Sequence, residues 1–133
     1  PFAVGERLIR LVISEPTPSP NKMNRGRVPH FVTMKALRKR WRDLVWAAVI
    51  DARTAGQIVE PPTGRRRVTI ERHSSGALDV DNLYGSLKVL LDELRDFELI
   101  KNDDQKNIEL AARNVKSKRK DAKTVVLLED IPP

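Results

Sequence analysis

Three prolines at alternate positions, Pro16, Pro18 and Pro20, constrain the fold of this chain more than any other feature. Each lacks an amide donor and restricts the residue before it, so neither a helix nor a paired strand can run through residues 15–20. That segment is expected to be stiff and extended. The apolar run ahead of it, with Leu8, Ile9, Leu11, Val12 and Ile13, reads as a strand within residues 6–13. Residues 21–31 hold Gly26 and Pro29 and show no clean period. The spacing therefore predicts one Pro-rich, basic loop over 15–32.

Beyond the loop, Leu37, Trp41, Leu44, Ala48 and Ala52 recur at three and four residues. This predicts a helix capped by Thr33 and running to about Thr54. Trp41 lies on its apolar stripe and reads as a core residue; Trp46 is not assigned. Gly56 loosens the helix end, and residues 60–64 form a connector. Val68 and Ile70 alternate with Arg67, Thr69 and Glu71, predicting a strand over 66–72. A second helix is expected over 81–96, with Leu83, Leu87, Leu90 or Leu91, and Leu94 as its stripe. Residues 108–115 and 124–128 are further strands, joined by a basic connection. The order β-α-β-α-β-β predicts an α+β (mixed α/β) domain, a small mixed sheet packed against two main helices. A length of 133 residues suits one domain spanning 1–133. Aromatic residues are 5% of the chain, so the core rests on Leu, Ile, Val and Ala.

Composition excludes several classes. There is no cysteine, which removes disulfide scaffolds, thiolate zinc sites and thiol nucleophiles, and fits an intracellular protein. No run is long enough for a membrane span, so no membrane partner is expected. Glu6, Arg7 and Arg10 make the first segment unlike a secretory signal. The formal net charge of +7 favours a polyanionic partner, DNA or RNA.

That charge is unevenly placed. Lys22, Arg25, Arg27, Lys35, Arg38, Lys39, Arg40 and Arg42 follow one another without an acidic residue. Arg65, Arg66, Arg67 and Arg72 form a second cluster, and Lys116, Lys118, Arg119, Lys120 and Lys123 a third. Residues 79–104 reverse the sign, with eight acidic residues against Lys88, Arg95 and Lys101, a net of −5. A simple polyanion binder gains little from such an island. A metal-dependent nuclease needs one, because carboxylates hold divalent cations beside a captured phosphate.

Within the island, Asp79-Val-Asp-Asn-Leu83 is the sharpest signal. In an extended segment Asp79 and Asp81 point to the same side and can share one hard cation. On a continuous helix Lys88 and Asp92 return to within about 20° of Asp81, opposite the leucine stripe. Asp103 and Asp104 supply a second carboxylate pair that a turn could bring back to the first. Each feature also has a plain structural explanation. Asp81 serves as a helix cap, Lys88 and Asp92 as an exposed i,i+4 pair, and Asp103 with Asp104 as a solvated turn. His30 and His73 are the only histidines and lie in no paired acid–base arrangement.

Asp79-Val-Asp-Asn-Leu83 followed by a helix and Asp103-Asp104 closely resembles the RusA family of Holliday-junction resolvases, including phage and prophage members. Residues 15–21 resemble that family's proline-rich loop before an asparagine. Arg65-Arg66-Arg67 resembles the arginine run ahead of its first aspartate. Asp92-Glu93-Leu94 resembles its D-x-L segment. The resemblance covers roughly residues 8–128. It implies a small homodimeric endonuclease of mixed α/β fold that cuts four-way junction DNA by paired symmetric incisions. It also implies a bacterial or phage-infected host cytoplasm. Asp79, Asp81 and Asp104 become the essential acidic residues and ligands of Mg2+, with Mn2+ as a substitute, and Asp103 and Asp92 as further candidate ligands. The family's lysine position, four residues after the second aspartate, is held here by Gly85. Lys88 stands seven residues after it, as in the longer G-S-L-K form associated with phage-type members.

Under this reading the metal activates water, and Lys88 holds the scissile phosphate or steers the nucleophile. Lys22, Arg25, Arg27, Arg38, Lys39, Arg42, Arg65, Arg66, Arg67, Lys116, Lys118, Arg119 and Lys120 contact DNA phosphates. The loop folds over an open junction centre. Two alternatives stay open: a non-catalytic basic DNA-binding module whose aspartates only brace the fold, and a metal nuclease acting on other branched DNA such as forks or flaps.

Overall fold

The structure, a computed structural model, describes residues 8–20 and 30–132. Strand β1 (Ile9–Ile13) precedes helix α1 (His30–Thr54) and strand β2 (Arg66–Ser74). A short helix α2 (Val80–Gly85) and helix α3 (Lys88–Asp96) lead to strand β3 (Ile108–Lys116). A 3-10 turn (Arg119–Asp121) then joins it to strand β4 (Lys123–Asp130). The predicted mixed α/β order is present, with its second helix in two pieces. The four strands form one sheet in the order β1-β4-β2-β3. β4 is antiparallel to both β1 and β2, and β2 is parallel to β3, so α2 and α3 form the crossover of a β-α-β unit.

One face of the sheet makes the core. Ile9, Leu11 and Ile13 of β1 lie in register with Leu128, Val126 and Thr124 of β4, and Val68 and Ile70 of β2 continue the layer. Trp41, Val45, Ala48, Val49 and Ala52 of α1 cover it with Leu90, Leu91 and Leu94 of α3. Trp41 is 1% exposed, as its place on the stripe predicts, whereas Trp46 is 57% exposed. The other face carries charge pairs instead. Arg67 lies near Glu109 and Glu129, and Glu71 bonds both Arg113 and His73. The hydrogen bond from Arg113, joined by that from His73, holds the Glu71 carboxyl below its usual range.

Both sheet edges are blunted by side chains. Gln57 Oε1 accepts from the Arg10 amide at 2.7 Å, and its Nε2 donates to the Arg10 carbonyl at 3.1 Å, closing the β1 edge. On β3, the Ala112 amide donates to the Tyr84 hydroxyl at 3.1 Å. Asn114 donates to the Leu78 carbonyl at 2.8 Å and accepts from the Leu78 amide at 3.2 Å.

Residues 14–19 have no helix or strand, as the prolines dictate. They are pinned to the body rather than loose. Thr124 Oγ1 donates to the Glu15 carbonyl at 2.7 Å, Arg72 Nε donates to the Thr17 carbonyl at 2.9 Å, and Thr17 is fully buried. The rest of the predicted loop, residues 21–29, lies outside the described residues, as do Lys22, Arg25 and Arg27.

Three expectations about helix ends need correction. Thr33 does not cap α1, which starts at His30. A cap is worth about 1 kcal/mol, too little to place a boundary against the packing of a long helix. Gly56 ends α1 rather than loosening it. At φ 91° it takes the left-handed conformation, its amide bonds the Arg53 carbonyl, and the Gln57 amide bonds the Ala52 carbonyl, both at 3.0 Å. The predicted helix over 81–96 breaks at Ser86 and Leu87. There the Leu87 amide bonds the Tyr84 carbonyl, a tightened i→i−3 contact, at 3.1 Å. The cause is Ser86, whose buried hydroxyl bonds the Leu83 carbonyl at 2.6 Å and Thr17 Oγ1 at 2.7 Å, competing with the helical ladder.

Candidate functional site

The acidic island follows the break. Asp79, not Asp81, is the N-cap of α2. Its Oδ1 accepts from the Asn82 amide at 2.8 Å and its Oδ2 from Asn82 Nδ2 at 3.1 Å. Asp81 is exposed in the first turn of α2, so the pair does not occupy one extended segment. Alternation of side chains along a strand therefore does not describe Asp79 and Asp81.

The break also changes the role of Lys88. It opens α3 instead of standing two turns along Asp81's helix. Lys88 Nζ lies 3.1 Å from Asp92 Oδ1 and 3.5 Å from Asp103 Oδ2. The hydrogen bond to Asp92, with the charges of Asp92 and Asp103, holds this ammonium above the usual lysine range. Lys88 thus ties the 103–104 turn to the start of α3. Lys88 and Asp92 stay aligned, as their spacing predicts; Asp81 belongs to a separate helix.

Asp104 repeats the capping geometry of Asp79. Its Oδ1 accepts from Asn107 Nδ2 at 2.6 Å and from the Asn107 amide at 3.1 Å. Asn102 Nδ2 lies 3.4 Å from its Oδ2, and Asn102 Oδ1 accepts from the Asp103 amide at 2.9 Å. Asparagines therefore orient both ends of the island. By donor type, Asp79, Asp81 and Asp104 suit Mg2+, which takes oxygen ligands. Among the described residues, no three His, Cys, Asp or Glu side chains come together so as to hold a metal ion.

The basic residues divide by strand alternation. Arg65 and Arg67 are exposed, Arg65 Nε donating to the Gln105 carbonyl at 3.0 Å. Arg66 points inward and is 3% exposed. Its guanidinium bonds Asp130 at 2.9 Å, the Leu99 carbonyl at 2.8 Å and the Glu60 carbonyl at 3.1 Å. That corrects the expectation of a DNA contact, because these donors are spent inside the fold. Arg38, Lys39 and Arg42 are exposed on α1, and Lys116, Lys118, Arg119 and Lys120 are exposed around the 3-10 turn.

Two functional-grade details escaped the sequence reading. The Thr17–Ser86 pair links residues 69 apart and leaves no local signature. Arg72 was readable, because it continues the inward set Arg66, Val68, Ile70 at period two.

No protein-family model matches the chain, and a search of curated proteins finds no match. Among the described residues, no helix is long and apolar enough to cross a membrane.

Proposed function

We propose that this chain is a Mg2+-dependent, structure-specific endodeoxyribonuclease that resolves four-way DNA junctions as a homodimer by paired symmetric phosphodiester hydrolysis. The observation that carries the reading is the folding of the acidic island around Lys88. The helix break frees Asp79 and Asp81 as a separate helical turn, while Lys88 draws Asp103, and with it Asp104, to the start of the next helix. The resemblance of this same segment to the RusA family supports the same chemistry. Asp79, Asp81 and Asp104 do not come together as a ligand set here, so Mg2+ would have to draw them in; once held, it would supply an activated water and stabilise charge on the phosphate. Asn82 and Asn107 orient the outer two carboxylates. Lys88 lowers the negative charge that a phosphate meets on approach. Exposed arginines and lysines of α1 and the 3-10 turn position the duplex arms. A junction has two-fold symmetry, which a two-fold dimer matches.

The test is incubation with a labelled four-way junction, a fork and plain duplex, in Mg2+ or EDTA. Symmetric nicks in the junction that vanish in EDTA and in Asp81→Asn are expected. Asp81 is exposed, so this variant should fold. Lys88→Ala should slow cutting without abolishing junction binding. Equal cutting of plain duplex sinks junction specificity, and cutting confined to forks selects the other branched-DNA reading.

A second reading has its own support. Asp79 and Asp104 are both engaged as caps, the arrangement of a basic DNA-binding module whose aspartates only brace turns. That module binds junctions equally in EDTA and cuts nothing.

A further inference from the structure

Arg72 lies on the helix-covered face of β2 and is 7% exposed. Its Nε donates to the Thr17 carbonyl at 2.9 Å and its Nη1 to the Gly76 carbonyl at 3.1 Å. Both acceptors are neutral. Arg66, the other buried arginine of the strand, has Asp130 at 2.9 Å, whereas no ion pair joins Arg72 to a carboxylate among the described residues. A buried charge is ordinarily paired. Burial accordingly lowers the pKa of Arg72, the direction expected of a cation short of counter-charge.

Arg72 lines a cavity of about 230 Å3 with Ser74, Ser75, Gly76, Asn114 and Lys116. Among the described residues, no acidic side chain lines it. Ser74 and Lys116 are the last residues of β2 and β3 and lie in register, so the cavity sits at the carboxyl ends of the parallel pair. Ligands of open α/β sheets bind at that end. Two cations and small hydroxyl residues, with no carboxylate among the described lining residues, suit an oxyanion.

We infer that this cavity is a phosphate-binding site, with Arg72 as its buried cation and Lys116 as its outer one. The volume exceeds what a bare ion needs and admits a phosphodiester with its flanking sugar atoms. Gly76 precedes Asp79 by three residues, so a strand seated here runs beside the acidic island. The identity of the phosphate as part of a DNA strand rests on the nuclease reading; the site itself does not.

The experiment is an amide NMR titration in EDTA with inorganic phosphate and, separately, a single-stranded oligonucleotide. Phosphate is expected to shift the amides of Ser75, Gly76 and Ala77 saturably, while chloride at equal ionic strength does not. Ser75 is exposed, so Ser75→Asp should fold while giving Arg72 a resident carboxylate; it should erase the shifts. Lys116→Gln should weaken phosphate binding about tenfold, the loss of one charge-assisted contact. An oligonucleotide that shifts the same amides and competes with phosphate identifies a nucleic-acid strand as occupant. Phosphate binding without oligonucleotide binding identifies a small phosphate compound and still supports the site. No saturable shift in the folded wild type, or unchanged binding in Ser75→Asp, overturns it. Metal is absent throughout. A protein that cuts junctions yet shows no shift therefore loses this site and keeps the nuclease reading, and the converse result does the reverse.

Discussion

Glu93 is 2% exposed on α3, its Oε2 has no hydrogen-bond partner among the described residues, and Arg42 Nε of α1 stands 3.6 Å away. Burial raises its pKa. Asp96 and Asp92 push the same way, and Arg42 offsets only part of the shift. A carboxyl whose pKa is higher in the folded state binds its proton more tightly there. Folding stability therefore falls as pH rises from the unfolded pKa through the folded one. Glu93→Gln keeps the shape and removes the charge. Its melting temperature should exceed that of the wild type at pH 8, and the gap should close as the pH is lowered through that window. Parallel melting curves across pH would show that Arg42 already compensates the charge. The sequence marks Glu93 only as one acid of the island. Its burial follows from α3 turning this residue toward α1, which no local pattern records.

The helices show where punctuation was legible. Gly56 past the end of α1 is a sequence-level stop, and the left-handed φ it adopts is one that glycine reaches without strain. The end of α3 uses the same closure without a glycine. Glu98 has φ 61°, its amide bonds the Arg95 carbonyl at 2.9 Å, and the Leu99 amide bonds the Leu94 carbonyl at 2.8 Å. An L-residue held there costs about 1–2 kcal/mol. Glu98 is exposed, so Glu98→Gly should stabilise by about 1 kcal/mol and raise the melting temperature by a few degrees. An unchanged or lower value would mean that Glu98 gains elsewhere what its backbone loses. The leucine stripe of residues 83–94 was legible as a whole: Leu83, Leu87 and Leu94 are buried, and so are both of the alternatives Leu90 and Leu91. The interruption inside it was not. Ser86 on an apolar stripe looks neutral until Thr17 arrives beside it, and Thr17 is brought there by the rigid proline segment.

At the scale of the molecule, positive charge separates into structural and surface sets. Arg66 and Arg72 are inside the fold, whereas Arg38, Lys39, Lys118 and Arg119 face solvent. If the surface set contacts phosphates, log K for DNA should fall linearly with log salt. Lys118→Gln and Arg119→Gln should each reduce the slope by about 0.9 and leave the melting temperature unchanged. Arg66→Gln should instead lower the melting temperature, by stranding Asp130 and two carbonyls. Fluorescence anisotropy at several salt concentrations, read beside thermal melts, separates the two sets; an unaltered slope in both surface variants would remove the 3-10 turn from the interface. By itself the sequence determined the order of strands and helices, the unstructured proline segment, the aliphatic faces and the acidic island. These follow from local periodicity and from residues with restricted backbones. Only the tertiary structure decided that α2 and α3 are separate, that Lys88 joins Asp92 to Asp103, and that Arg66 has a carboxylate partner while Arg72 has none among the described residues. Each depends on side chains far apart in sequence, such as Thr17 with Ser86 or Arg66 with Asp130, whose meeting is set by how the sheet and helices pack.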